Sequence, residues 1–233
     1  MIRKIIITFF ILISAGGYLV SGARFVDPEI PDGERIIYSS ITGEKGTRTE
    51  EEVSVKEEQG EEIYEFVTKS EESDQIIKMT KSDMSLYSVQ ILQKNENAVI
   101  ERKANLLENN AKLKADEKGL LDFNGLYHVL RGYPFDAMKS VKIVLLGARS
   151  FFPLVVENEG QEVIRTKDRA IGCYKLRIGV SGIWGQLMPK TYMWYSKEKP
   201  HYMVRYKGTS GGPGSAKSVI ELLEYSVKDA IIR

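Results

Sequence analysis

Residues 34–69 read ERIIYSSITGEKGTRTEEEVSVKEEQGEEIYEFVTK. Ile36, Tyr38 and Ser40 fall at every second position, as do Val53 and Val55, whereas Glu52, Ser54 and Lys56 take the places between. A period of two is the signature of a strand with one face turned to a core and one to water. Gly43 with Gly46, and Gln59-Gly60, supply turn chemistry between the alternating runs. Three strands are expected, at 34–42, 48–57 and 61–69. Joins this short suit hairpins, because parallel pairing needs a crossover of about a dozen residues.

The same pattern continues outward. Strands are expected at 74–81, 84–93, 97–104 and 109–116, then at 138–147, 152–157, 160–167, 171–182, 189–197, 201–208 and 217–226. Gly208 to Ser215, rich in glycine, reads as a hairpin loop. Val219, Glu221, Leu223 and Tyr225 alternate with Ile220, Leu222 and Glu224, so the last strand is apolar on both faces and is expected to be central. Towards the N-terminus, Pro28 and Pro31 mark an extended lead-in.

One segment breaks the alternation. Asp122-Phe-Asn-Gly-Leu-Tyr-His-Val-Leu-Arg131 places Phe123, Leu126, Tyr127 and Leu130 on one helical face, with Asp122 as N-cap and Gly132 and Pro134 as stop signals. A helix over about 121–131 is expected, with Gly125 costing about 1 kcal/mol relative to alanine. The fold expected is mainly β: an antiparallel meander forming a curved open sheet or incomplete barrel, capped by that short amphipathic helix.

Residues 1–23 read differently. Arg3 and Lys4 precede an uncharged run, Ile5 to Val20, and Ser21-Gly22-Ala23 offers small residues for cleavage. This is the pattern of a signal peptide. Sixteen helical residues span about 24 Å, short of the roughly 30 Å bilayer core. The expected organisation is a signal peptide over 1–23 and a single β-rich domain over 24–233. The expected location is the periplasm, or the inner-membrane surface if the leader is retained, with no integral span in the remaining chain.

Composition narrows the chemistry. The chain has 33 Lys and Arg against 32 Asp and Glu, and 31 against 32 without Arg3 and Lys4. A near-neutral protein has no electrostatic case for nucleic acid. Cys173 is the single cysteine; no intrachain disulfide can form, and a small buried hydrophobe in a strand is expected. There is no phosphate-cradling glycine motif, Gly-x-Ser-x-Gly elbow or His-Glu-x-x-His. His128 reads as a helix residue and His201 as a strand-end residue, with no legible nucleophile–base spacing. The Glu50–Glu72 carboxylates are interleaved with Lys56 and Lys69 and lack the spacing of a calcium loop. No catalytic residue, metal site or cofactor is expected.

The aromatic residues Trp184, Tyr192, Trp194, Tyr195, Tyr202, Tyr206 and Tyr225 gather in the C-terminal part. They either fill a sheet core or line an apolar cavity. For a cavity, the candidate ligand-binding residues are Phe123, Leu126, Tyr127, Trp184, Trp194 and Tyr202, with Arg205 meeting either an acidic ligand or an ion-pair partner in the sheet.

The segment Asp122…Leu126…Leu130-Arg131, the Val180-Ser-Gly182 strand end, and Trp194-Tyr-Ser196 followed by Pro200-His-Tyr-Met-Val-Arg205 resemble the bacterial Domain of Unknown Function 3108 family. The resemblance implies an exported β-rich protein with no established activity, similar in architecture to the half-open barrels of periplasmic lipoprotein carriers. Two functional readings follow: a non-enzymatic envelope protein holding a lipid or acyl chain in a curved sheet, or a scaffold whose sheet edge binds an envelope protein. A hydrolase using His128 or His201 is the least supported.

Overall fold

The computed structural model describes residues 25–95, 98–105, 120–122, 125–146, 151–182, 185, 189–209 and 215–228. Thirteen strands form one open, almost wholly antiparallel sheet. The leader, the strand expected at 109–116, Phe123, Trp184 and residues 210–214 lie outside the described residues.

The first arm is a meander of β1 (Glu34–Thr42), β2 (Lys45–Glu58), β3 (Glu61–Lys69), β4 (Ser73–Thr80), β5 (Leu86–Asn95) and β6 (Ala98–Asn105). The second arm contains β7 (Leu120–Asp122), β8 (Ser140–Leu146), β9 (Phe151–Arg165), β10 (Ala170–Val180), β11 (Thr191–Ser196), β12 (Met203–Thr209) and β13 (Lys217–Val227). The arms join where β1 pairs antiparallel with β13, Glu34 opposite Val227 and Thr42 opposite Ser218. The strand order is β6-β5-β4-β3-β2-β1-β13-β12-β11-β10-β9-β8-β7. Among the described residues the expected mainly-β open sheet with one short helix is what the chain forms.

β13 is central, and its apolar character on both faces has a local cause. The register slips between Ile37 and Tyr38: Ile37 faces Glu224, whereas Tyr38 faces Leu222. Leu223 is the extra residue of a bulge, and a bulge reverses which parity points inward. Ile220 and Leu222 therefore pack inward on one side of it and Tyr225 on the other, while Leu223 is exposed.

A second bulge corrects an expected turn. The strands read at 152–157 and 160–167 are one 15-residue strand, β9. Tyr174 pairs with Gln161 and Leu176 with Asn158, which leaves an extra residue on β9 beside Gly160, whose φ is +103°. Glycine adopts that conformation without the steric penalty other residues meet. It bends the strand here instead of ending it.

The helix is shorter than the periodicity implies. α1 spans Leu126–Val129 and runs into a 3-10 turn, Leu130–Gly132. Asp122 is not its N-cap; it ends β7, which pairs parallel with β8, Leu120 opposite Val144. The helix and its flanking turns supply the crossover that this one parallel pair requires. Gly125 has a packing role: a Cβ there would stand 3.0 Å from Met79 Cε and 3.4 Å from Leu86 Cδ1, so the missing side chain lets the helix start press onto β4 and β5.

α1 sits against the concave face. Leu126, Val129 and Leu130 join Ile36, Phe66, Ile77, Met79, Leu176 and Tyr195 in a continuous core. Tyr195 donates its hydroxyl hydrogen to the Tyr127 carbonyl at 2.9 Å, fixing the helix to β11. Phe135 stacks on Tyr174 with ring centroids 4.4 Å apart. The lead-in crosses the helix end, where Val26 N–H donates to the Gly132 carbonyl at 2.9 Å.

Candidate functional site

The inward positions change character along each strand. On β3, Tyr64 and Phe66 are fully buried and Thr68 follows. On β4, Met79 and Ile77 give way to Gln75 and Ser73; on β2, Val53 gives way to Glu51, Thr49 and Thr47; on β1, Ile36 and Tyr38 give way to Ser40. Register aligns these changes, since Phe66 pairs with Ile77 and Thr68 with Gln75, while Tyr38 pairs with Thr49 and Ser40 with Thr47. The apolar positions and α1 therefore fill one end of the concave face. The other end encloses a cavity of about 380 Å³, within the range of small-molecule sites.

The cavity has an apolar floor of Leu126, Met193, Met203 and Ile220, with Tyr38, Tyr127 and Tyr206 at its margin. Its wall is mostly serine and threonine from both arms of the sheet, reaching Thr209 and Ser218 on the second. Two carboxylates are present, Glu51 and Glu72, and no lysine, arginine or histidine is among the described lining residues. Glu72 is exposed and paired with Lys45 at the rim.

Glu51 marks the boundary between the two ends. It is 2% exposed and accepts a hydrogen bond from Thr68 Oγ1 at 3.2 Å. Burial pushes its carboxyl up to about 7; the Arg131 guanidinium opposes the shift and Glu34 adds to it. His128 Nε2 lies 3.7 Å from Glu51 Oε2, beyond hydrogen-bond reach. His128 is fully buried, with its ring 3.9 Å from Phe66 and 3.9 Å from Tyr127 by centroid, and neither nitrogen has a hydrogen-bond partner among the described residues. Burial first, and then Arg131, holds its pKa well below the usual value. Burial thus disfavours the charged form of both groups.

Arg131 anchors the packed end. Its Nη1 and Nη2 donate to Glu34 Oε2 and Oε1 at 2.7 and 2.9 Å, and its Nε donates to the Pro200 carbonyl at 3.2 Å. Both side chains are almost fully buried. Burial works against the guanidinium charge, and Glu34 more than offsets it. One residue of the 3-10 turn thus ties β1 to the loop between β11 and β12.

The candidate ligand-binding residues separate. Leu126 and Tyr127 line the cavity. Phe123 and Trp184 lie outside the described residues. Trp194 does not line it: paired with Lys175, it shares the convex face, where its Nε1 donates to Glu162 at 2.7 Å and Lys175 and Lys207 lie over its ring. Arg205 pairs with Trp194 and is engaged by Glu221 at 2.8 Å. Tyr202 stacks on Tyr225 with centroids 4.1 Å apart and lies outside the cavity wall. Of the C-terminal aromatics, Tyr206 reaches the cavity and Tyr195 belongs to the core. Alternation told these two faces apart but could not say which was concave.

Sequence reading missed the hydroxyl wall. Its signal, inward serine or threonine at one end of successive strands, exists only once the strands are in register. The remaining reactive residues do not converge on the cavity. Cys173 is a free, buried strand residue, as expected, and burial pushes its thiol up to about 12. His201 is half-buried, with Nδ1 2.9 Å from the Ser196 carbonyl. Among the described residues there is no group of three His, Cys, Asp or Glu able to hold a metal ion, and no helix is long and apolar enough to cross a membrane.

No family model matches the sequence, and no curated protein matches it. Solved structures give distant likenesses. A β-barrel-like protein of Domain of Unknown Function 1849 from Brucella abortus has 10% identity and a TM-score of 0.43, over 84% of this chain and 98% of that one. A proposed exported protein with a YmcC-like fold from Bacteroides fragilis has 12% identity and a TM-score of 0.41, over 88% and 99%. A proposed lipoprotein from Parabacteroides distasonis has 12% identity and a TM-score of 0.42, over 88% and 99%. None of these carries the Domain of Unknown Function 3108 name. At such scores the likenesses carry no functional argument.

Proposed function

We propose that this chain is a non-enzymatic, exported cell-envelope protein that holds an amphipathic ligand, such as a lipid or acyl chain, in the concave cavity of its open sheet. The observation that carries this reading is the cavity itself. Leu126, Met193, Met203 and Ile220 offer an apolar floor, and the hydroxyl wall above it leads to solvent. Apolar contact holds a tail, while a few placed polar groups orient the rest. The leader-like residues 1–23 support an envelope location, where ligands of this kind are abundant.

Binding of N-phenyl-1-naphthylamine, an uncharged fluorescent probe, tests the reading. The protein is expected to enhance its fluorescence with one saturable site. Ile220→Trp, which fills the floor, is expected to weaken binding about tenfold or more while near-ultraviolet circular dichroism stays native. A wild-type protein that leaves the probe unbound, or a folded Ile220→Trp variant that binds it equally well, overturns the proposal.

A further inference from the structure

The cavity's charge pattern goes further and addresses which head group it accepts; the inference rests on the cavity being a ligand site. We infer that the cavity selects an amphiphile with an uncharged, polyhydroxylated head, of the alkyl glycoside or glycolipid class, over one with an anionic or cationic head.

Three observations carry this. First, the wall is built from hydroxyls. Ser40, Thr47, Thr49, Thr68, Ser73 and Ser218 come from five strands, and Gln75 stands among them. Thr68 already donates to Glu51 and Ser218 is hydrogen-bonded to Thr42; the hydroxyls of Ser40, Thr47, Thr49 and Ser73 can each donate and accept, matching a group that does the same, and no charge need be stripped of water. These are inward-facing positions in a sheet whose other inward positions are large and apolar. Nothing about strand formation requires hydroxyls there.

Second, anions are opposed. The lining holds two carboxylates and, among the described residues, no cation. Arg205, the sequence-based candidate for meeting an acidic group, is on the other face with Glu221. Arg131, the nearest buried guanidinium to Glu51, is already committed to Glu34 by two hydrogen bonds. A fatty-acid carboxylate or a phosphate would lose water there with no cation among the described lining residues to pair with.

Third, cations gain little. Glu72 already has Lys45 as its partner at the rim. Glu51 takes a hydrogen bond from Thr68, and burial shifts its carboxyl towards the protonated form near neutral pH. It therefore offers the cavity a buried carboxyl already held by a hydroxyl hydrogen bond. That group suits another hydroxyl better than an ammonium.

Isothermal titration at pH 7 with three eight-carbon amphiphiles below their micelle concentrations tests the inference: octyl glucoside, octanoate and octylamine. Octyl glucoside is expected to bind about tenfold or more tightly than either charged ligand. The double variant Thr47→Val/Thr49→Val is expected to weaken octyl glucoside at least about fivefold more than it weakens N-phenyl-1-naphthylamine. Octanoate binding as well as the glucoside overturns the inference, and so does octylamine binding more tightly, which would make Glu51 a charge partner. In both cases the cavity reading stands. If naphthylamine binds but none of the three does, head-group selection falls alone. If naphthylamine fails too, the cavity reading falls with it.

Discussion

The two ends of the concave face are made from the same strands and behave as different materials. At one end Tyr64, Phe66, Ile77, Met79, Leu130 and Tyr195 close around α1 with almost no exposure. At the other, the inward positions of β1 to β4 turn polar, with Ser40, Thr47, Thr49, Glu51, Thr68, Ser73 and Gln75, and the space stays open. The packed end also contains a buried ion pair, Arg131 with Glu34, and Glu51 and His128 lie where the two ends meet. A sheet of this size needs only part of its concave face to hold the fold together, which frees the rest for another task.

This contrast can be broken most directly at Arg131. Arg131→Met leaves Glu34 buried without its partner and is expected to cost about 3–5 kcal/mol in urea unfolding. Adding Glu34→Leu is expected to recover most of that loss, because the stranded charge goes with it. At the other end Thr49→Val, facing the cavity, is expected to change stability by less than about 0.5 kcal/mol. Equal losses at the two sites would mean that the hydroxyl end is as tightly packed as the helix end.

The boundary is sharpened by pH. The Glu51 carboxyl is raised in the folded protein from an ordinary 4.5 to about 7. Between these values the folded state holds the proton more strongly than the unfolded state does. Its stabilising contribution is therefore complete below about pH 4.5 and is lost as pH rises through about 7. His128 acts with the opposite sign: its depressed pKa means stability is lost as pH falls below its ordinary 6.5. Glu51→Gln isolates the first effect. The stability difference, wild type minus Glu51→Gln, is expected to decline from pH 4.5 to 7.5, and a flat difference would show that Glu51 is solvated.

An effect of the opposite sign is expected at His128, whose nitrogens are buried without hydrogen-bond partners among the described residues. An unsatisfied buried polar group costs about 1–3 kcal/mol. His128→Phe, stacked between Phe66 and Tyr127, is expected to raise stability by about 1–2 kcal/mol as read by the urea midpoint. A loss of stability would mean that the imidazole makes an interaction the ring geometry does not account for.

Much of the fold was legible because strand alternation is local. The ranges 34–42 and 61–69 match β1 and β3 residue for residue. Errors arose where a local signal has two structural uses. The break read between 157 and 160 is a bulge beside Gly160, and Asp122 reads as a helix cap and ends a strand. Cys173 and the Arg205 ion pair fell within the readings the sequence allowed. The site was less legible. Leu126 and Tyr127, singled out on a helical face, line the cavity, whereas Trp194 and Tyr202, singled out by size, do not. Arg131 stood in the helix segment with no sign that Glu34, 97 positions away, would be its partner.

By itself the sequence determined that this is a β protein with mostly short antiparallel connections and a helical interruption before residue 132. Period-two alternation and turn residues act over a few positions and need no partner to be read. Only the tertiary structure decided which face is concave, how bulges reverse the parity of β13, and that threonines and serines from both arms meet around one cavity. Those outcomes depend on register between strands far apart in the chain, and register is set by the packing of the whole sheet.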